Sequence, residues 1–516
     1  MSDSELVGQV LLLGYMGTDP SPDFLEWIGT YGIGGIKIFG WNAESLRGLA
    51  AAVSTMQRKA QTTRLRIPLL VATDQEGGWV RHVKAETSVT PGNLALGASG
   101  IPEDSYRTGY YIGMELRHLG INMNFAPTVD VYISDKADVV GPRAFSSDPV
   151  RTSVLAVAYF KGMREAGVIC TAKHFPGHGR ADGDSHGTLP RVDVTIDELW
   201  ETDLLPYRFL IREGLPAVMS GHIGFPRIVT DETPSSLSPY FQTDLLRGRM
   251  GFAGIVVTDD LQMTGAQTSG DRITVIARRA LEAGNDMIMI SRTPEHYEMV
   301  RNELLSACRT VSGFRERLRQ SAARILRIKL EYLKGPKAVP LYPQPAAAAA
   351  SIPEEGAGDF FFQTACRSVT LLRDRNIPVR DPGRVLLAGQ FQTFLQEGKR
   401  VFPGAAEFSF PYAPFGEPDP DVAASLGRIA ADYDTIVFCL ANPNSLGVLR
   451  SLSTYADRVV VLSVLTPIYL QELPWVGSAV AAYGTGRDSF RAGFSVLAGE
   501  FVPEGVLPIG QGADER

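Results

Sequence analysis

The chain has 516 residues, 44% of them hydrophobic and 21% charged, with a formal net charge of -7. This is ordinary globular composition, and it excludes disordered and fibrous classes. No basic stripe runs along the chain, so nucleic acid is not an expected partner. The length exceeds what one small core organises, and two domains are expected.

The N-terminus reads MSDSELVGQVLLLGYMG. It lacks a basic n-region, and no clean small-residue cleavage site follows its short apolar run. No stretch approaches the length of a membrane span. A cytoplasmic location with no membrane partner is the resulting expectation. The four cysteines, Cys170, Cys308, Cys366 and Cys439, show no CxxC or metal-type spacing, which fits reduced thiols.

Short apolar runs rich in β-branched residues recur along the first two thirds of the chain. They predict strands at Val10–Leu13, Gly35–Phe39, Pro68–Thr73, Asn122–Phe125, Ile169–Ala172, Ala217–Ser220, Gly254–Thr258 and Asp286–Ile290. Amphipathic segments lie between most of them, among them Ser153–Glu165, Ile196–Glu213 and Arg272–Ala283. Alternating strand and helix predicts parallel strands with helical crossovers. Eight such units over residues 1–334 fit an α/β fold of the (β/α)8 TIM-barrel type. An open doubly wound sheet is the alternative. Polar residues cluster at the strand C-termini, where barrels place their sites, and this favours the barrel.

Residues 335–358, GPKAVPLYPQPAAAAASIPEEGAG, read as a proline- and alanine-rich linker, with helix limited by the flanking prolines. Residues 359–516 predict a smaller α/β sandwich. Its strands are expected at Ser368–Leu372, Arg384–Leu387, Thr435–Cys439, Val459–Val464 and Ala479–Ala482. No GxGxxG or P-loop motif supports a nucleotide site there.

The reactive side chains follow the barrel strands. The third ends in Asp74-Gln75-Glu76-Gly77-Gly78, the sixth in Gly221-His222 and the seventh in Asp259-Asp260. The fifth runs into Lys173-His174-Phe175-Pro176-Gly177-His178 and on to His186. In one barrel these groups converge. Asp184 lies two residues from His186. A carboxylate bonded to an imidazole fixes its tautomer and raises its basicity, so such a pair can protonate a leaving oxygen and later deprotonate water. A plain loop ion pair or a metal site would use the same residues, though no HExxH or Cys/His pattern supports metal. Asp259, at the end of an apolar strand, suits a nucleophile, a base or a helix cap, and Asp260 suits the cap at least as well. Asp74, Arg143 and Lys173 offer acceptors and donors for sugar hydroxyls or an acetamido carbonyl, or are solvated loop charges.

At these residues the chain resembles glycoside hydrolase family 3, in its β-N-acetylhexosaminidase branch. The branch pattern KH-F/I-PG-H/R-G-x-x-x-x-D-S/T-H is met at every fixed position by Lys173–His186. Thr73–Gly78, Asn124–Pro127, Gly141–Phe145 and the Val257–Leu261 block agree with it, so the likeness covers about the first 330 residues. The resemblance implies a cofactor-free, metal-free retaining glycosidase. Asp259 would be the nucleophile, His186 the general acid/base oriented by Asp184, and Asp74, Arg143, Lys173 and His174 the sugar-binding set. The expected substrate is a small amino-sugar glycoside, derived from peptidoglycan or chitin, with terminal β-linked N-acetylglucosamine. The proton-transfer role of an imidazole replaces the second carboxylate of the usual retaining pair. A β-glucosidase, a phosphorylase with phosphate in place of water, and a sugar-binding protein on a degenerate hydrolase fold are the competing readings. One block departs from the branch. Where R-V-x-R is usual after Gly78, this chain has Trp79-Val80-Arg81-His82, and Trp79 can stack on a sugar or pack under the loop.

Overall fold

The computed structural model describes residues 1–134, 137, 140–181, 187–230, 233–267, 270–413 and 419–510. Eight strands close a parallel barrel: β1 (Leu11–Gly14), β2 (Gly35–Ile38), β3 (Leu70–Thr73), β4 (Met123–Asn124), β5 (Ile169–Phe175), β6 (Ala217–Ser220), β7 (Ile255–Asp260) and β8 (Met287–Ile290). Each pairs with its neighbours in sequence, and β8 returns to β1. The (β/α)8 expectation therefore holds against the open sheet. Strands buried on both faces must read as nearly unbroken apolar runs, and β1, β2 and β8 leave no residue exposed.

Local chemistry sets the crossovers. Asp148 caps the helix Pro149–Glu165 by accepting from the Val150 and Arg151 amides, and Pro149 occupies the first turn, where no N–H is needed. Thr195 and Glu198 form a reciprocal capping box at Ile196. The single helix expected over Ile196–Glu213 is two, Ile196–Glu201 and Leu205–Arg212. Between them Asp203 is buried, and its carboxylate accepts from Arg180 Nε at 2.9 Å and Thr202 Oγ1 at 2.7 Å. That tertiary pairing outweighs the helical periodicity.

Residues 335–358 hold a short helix, Pro345–Ala350. Pro345 starts it rather than preventing it, because a first-turn proline lacks only an amide that would be unpaired anyway. Ala348 and Ile352 join the barrel's core, and Ser54 Oγ donates to Pro343 O at 2.9 Å. The segment is a packed strap.

The second sheet has six strands: β9 (Thr370–Asp374), β10 (Val385–Gly389), β11 (Ala406–Ser409), β12 (Thr435–Leu440), β13 (Val459–Val464) and β14 (Ser478–Tyr483). Their order is β9-β14-β13-β12-β10-β11, with β9 antiparallel and the others parallel. Apolar cores lie on both of its faces. The extra strand, β11, is a short edge strand of alternating half-buried and exposed residues. A further core joins the two units. Leu94, Tyr132 and Ala144 of the barrel's loops pack with Ala481, Tyr483 and Ile509. Among the described residues no helix is long and apolar enough to cross a membrane.

Candidate active site

The chain leaves β3 at Asp74 and turns through a two-stranded hairpin, Gln75–Gly77 against Val80–Arg81. Asn124, at the end of β4, grips it. Its Oδ1 accepts from Gln75 N at 3.0 Å and its Nδ2 donates to Gln75 O at 2.8 Å. Asp74 and Glu76 thereby sit over the carboxyl end of the barrel. Lys37 from β2 and Lys173 from β5 both donate to Asp74. Lys173 Nζ also reaches Glu76 Oε1 at 2.6 Å, and Arg143 clasps Glu76 through two bonds of 2.8 and 2.9 Å. Burial alone would push both carboxyls up. Lys173 and Lys37 overcome it at Asp74, holding it well below the usual carboxylate range, and Arg143 and Lys173 bring Glu76 to about 2. Burial pulls Lys173 down, but Asp74 and Glu76 more than restore it. Asp74 and Glu76 are therefore held in the charged form, while burial pulls the Lys37 amine below its ordinary value despite Asp74 beside it. Lys37 Nζ also lies 4.6 Å from the Phe125 ring centroid, a cation–π contact beneath the carboxylates.

His174 is fixed from behind. Asp130 accepts from its Nδ1 at 2.8 Å and from its backbone amide at 3.2 Å, and from the His178 amide at 2.7 Å. With Nδ1 donating to a carboxylate, Nε2 of the neutral ring is an acceptor. Arg143 Nη2 stands 3.3 Å from it. The Asp130 carboxyl, raised by burial, is brought below its ordinary value by His174 and His178.

The two carboxylates ending β7 divide their tasks. Asp260 is the turn former: its Oδ1 accepts from Gln262 N at 3.0 Å and its Oδ2 from the Ser291 hydroxyl. Burial raises its pKa. Asp259 accepts only from the Asp260 amide, at 2.8 Å on Oδ1, and its other oxygen has no hydrogen bond among the described residues. Burial pushes Asp259 up, yet His174, His222, the Asp260 amide and Lys173 together hold it below the ordinary value. His222 is itself driven toward the neutral form by burial. His222 Nε2 donates to Asp260 O at 3.1 Å, so its Nδ1 accepts from Ser236 Oγ at 2.7 Å.

The structure thus brings Asp74, Arg143, Lys173, His174 and Asp259 to one end of the barrel. Asp184 and His186 lie outside the described residues. Lys173 and Arg143, expected from sequence to donate to a sugar or to be solvated loop charges, are paired with carboxylates of the protein. Lys173 is 2% exposed and braces two carboxylates, whereas Asp74 keeps 16% of its side chain open. Lys37, Glu76 and Asp130 were not among the expected site residues. Glu76 lay inside a matched block, and Lys37 offered only the oddity of a lysine in an apolar strand. Asp130 left no local signal, since its partner is 44 residues away. Among the described residues no group of three or more His, Cys, Asp or Glu could hold a metal ion.

Residues 5–328 match the glycosyl hydrolase family 3 N terminal domain, and the chain belongs to glycoside hydrolase family 3. It is 33% identical over 368 residues to beta-hexosaminidase A of Pseudoalteromonas piscicida, a match covering 64% of this chain and 61% of that relative. A beta-hexosaminidase of Methylococcus capsulatus is 38% identical over 284 residues, covering 54% of this chain and 82% of the relative. Among solved structures, a glycoside hydrolase family 3 beta-N-acetylglucosaminidase from Paenibacillus sp. is similar along 99% of both chains, with a TM-score of 0.88 and 29% identity.

Proposed function

We propose that the chain is a retaining exo-β-N-acetylglucosaminidase, releasing terminal β-linked N-acetylglucosamine from small glycosides in the cytoplasm. The observation that carries the reading is Asp259, an ionised carboxylate at the carboxyl end of a barrel strand with one oxygen left unbonded among the described residues. The beta-hexosaminidase names of its relatives support the choice of sugar.

In the first step Asp259 attacks the anomeric carbon while the bond to the leaving oxygen breaks, and His186 gives that oxygen its proton. In the second step His186 takes a proton from water, whose oxygen displaces Asp259 from the anomeric carbon. Two inversions leave the β configuration unchanged. Asp184 holds His186 in the working tautomer. Asp74 accepts from sugar hydroxyls, Arg143 and His174 border the same space, and Lys173 acts chiefly by keeping Asp74 and Glu76 charged. Residues 1–334 form the catalytic unit in this reading, 335–358 the connecting strap and 359–516 the accessory sandwich.

A panel of p-nitrophenyl glycosides tests the reading. The β-N-acetylglucosaminide is expected to be cleaved faster than the β-glucoside, and the reverse order would contradict it.

A further inference from the structure

The two ends of the hairpin after β3 differ in what they meet. At its tip Trp79 rests against Tyr412 of the second unit, with ring centroids 5.3 Å apart and 53° between the planes. At its base stand Asp74 and His82, tied across the hairpin by a bond from His82 N to Asp74 O at 2.9 Å. His82 occupies the position of the second arginine in the R-V-x-R pattern. Its ring is rigidly mounted. It stacks on Phe39 with centroids 5.2 Å apart, and Phe39 stacks on Trp41 at 4.3 Å. Trp41 is pinned in turn, since its Nε1 donates to Tyr15 O at 3.0 Å.

His82 Nδ1 lies 3.3 Å from Ile38 O and 3.8 Å from Asp74 Oδ2. A carbonyl only accepts, so in the neutral ring Nδ1 carries the hydrogen and Nε2 keeps its lone pair. Burial, with Lys37 close by, holds the ring's pKa down to about 4, so it is neutral near pH 7. Nε2 has no hydrogen bond among the described residues. His174, His178 and His222 are buried, whereas the His82 side chain keeps 25% of its surface open. Charge explains why a neutral ring suits this place. Asp74 already accepts from Lys37 of β2 and Lys173 of β5. A guanidinium at residue 82 would set a third cation on one carboxylate and would offer only donors. The imidazole offers an acceptor instead. Asp74 and His82 thus present two partly open acceptors at the base of one hairpin, and neighbouring carbons of a pyranose present hydroxyl donors side by side.

We propose that His82 is a specificity-determining residue of the sugar site, its Nε2 accepting from a hydroxyl of the terminal pyranose next to the one bound by Asp74, so that both hydroxyls must be unsubstituted. The proposal rests on the glycosidase reading above, in which Asp74 accepts from the sugar. It is tested by kcat/KM for p-nitrophenyl β-N-acetylglucosaminide and its 3-, 4- and 6-deoxy analogues. His82→Phe keeps a ring on Phe39 without the acceptor, His82→Ala removes both, and His82→Gln returns an acceptor near the place of Nε2. At one of the three positions, loss of the hydroxyl should cost the wild type and His82→Gln at least about tenfold, and His82→Phe and His82→Ala less than about threefold. Equal penalties in all four proteins at every position would overturn the proposal, because a merely structural role slows the parent and deoxy substrates alike. If the wild type prefers the β-glucoside, the choice of sugar fails, and the same comparison is made with deoxy glucosides. If it cleaves neither, the glycosidase reading fails, and calorimetric titration with N-acetylglucosamine and its deoxy analogues decides. A deoxy penalty in Kd that is lost in His82→Phe supports the role of His82, and an equal penalty, or no binding by the wild type, overturns it.

Discussion

At the carboxyl end of the barrel Asp74 and Glu76 share three cations, Lys37, Lys173 and Arg143. At the amino end a single carboxylate, Asp286, is shared by Arg247, Arg317 and Arg324. Both clusters are buried, yet they differ in what they leave open. Asp286 also accepts from Val256 N at 2.9 Å, so its oxygens are filled by the protein. At the other end Asp74 stays partly exposed and Asp259 has an oxygen without a hydrogen bond among the described residues. Buried charge alone therefore does not mark a site. Position along the strand direction and unspent hydrogen-bonding capacity do. The lysines make the same contrast. Lys173 is 2% exposed between two carboxylates, and its pKa is raised. Lys329, equally buried, has among the described residues only Gln9 Oε1, at 3.0 Å, and burial brings its pKa down to about 7.

Four substitutions sharpen that contrast. Asp259→Asn should lower kcat on the order of 10⁴-fold, the scale seen when a covalent nucleophile is removed, with the thermal midpoint little changed. A loss below tenfold in steady-state rates would move the chemistry elsewhere. Asp286→Asn should act oppositely, costing about 3 kcal/mol of stability by leaving three guanidiniums around a neutral group. It should leave kcat of the folded enzyme within about twofold of wild type. Urea titration and initial rates read the two effects separately.

Asp130→Asn frees the His174 ring to take either tautomer and should lower kcat/KM about 10²-fold. A change under threefold would show that the orientation of His174 does not matter to turnover. Lys329→Met should be the smallest effect and the one that stabilises, by about 1–3 kcal/mol near pH 7. Its sign follows from proton uptake. Between about pH 7 and 10.5 the unfolded chain binds a proton at Lys329 that the native chain does not. Stability therefore rises with pH across that window, and the amine weakens the fold most below it. The gain in Lys329→Met should shrink toward zero above about pH 10.5. An equal gain at pH 7 and pH 10.5 would contradict this.

The barrel was legible because its strands are apolar runs bounded by glycine, proline and polar loops, and the position of Asp259 at a strand end followed from that register. The division of labour between Asp259 and Asp260 was not legible, since it depends on the backbone turn that points Asp260 at Gln262 N. Arg143 and Lys173 stood out as donors to a sugar or as solvated loop charges, but their pairing with Glu76 was not legible, because a sequence does not show which carboxylate they meet. Lys37 acts from the neighbouring strand and Asp130 from a neighbouring strand's loop, pairings between distant parts of the sequence that no local pattern encodes. β11 is short and half exposed, so its period is faint. The helix Pro345–Ala350 owes its place to packing on Leu46–Ala60 and to a first-turn proline, and the prolines around it masked the signal.

The most direct test is to trap the glycosyl-enzyme. Incubation with a slow fluorinated N-acetylglucosaminyl fluoride, followed by proteolysis and mass spectrometry, should place one sugar ester on the peptide containing Asp259, and Asp259→Asn should take up none. A label on another carboxylate, or turnover by inversion with no label at all, would contradict the account.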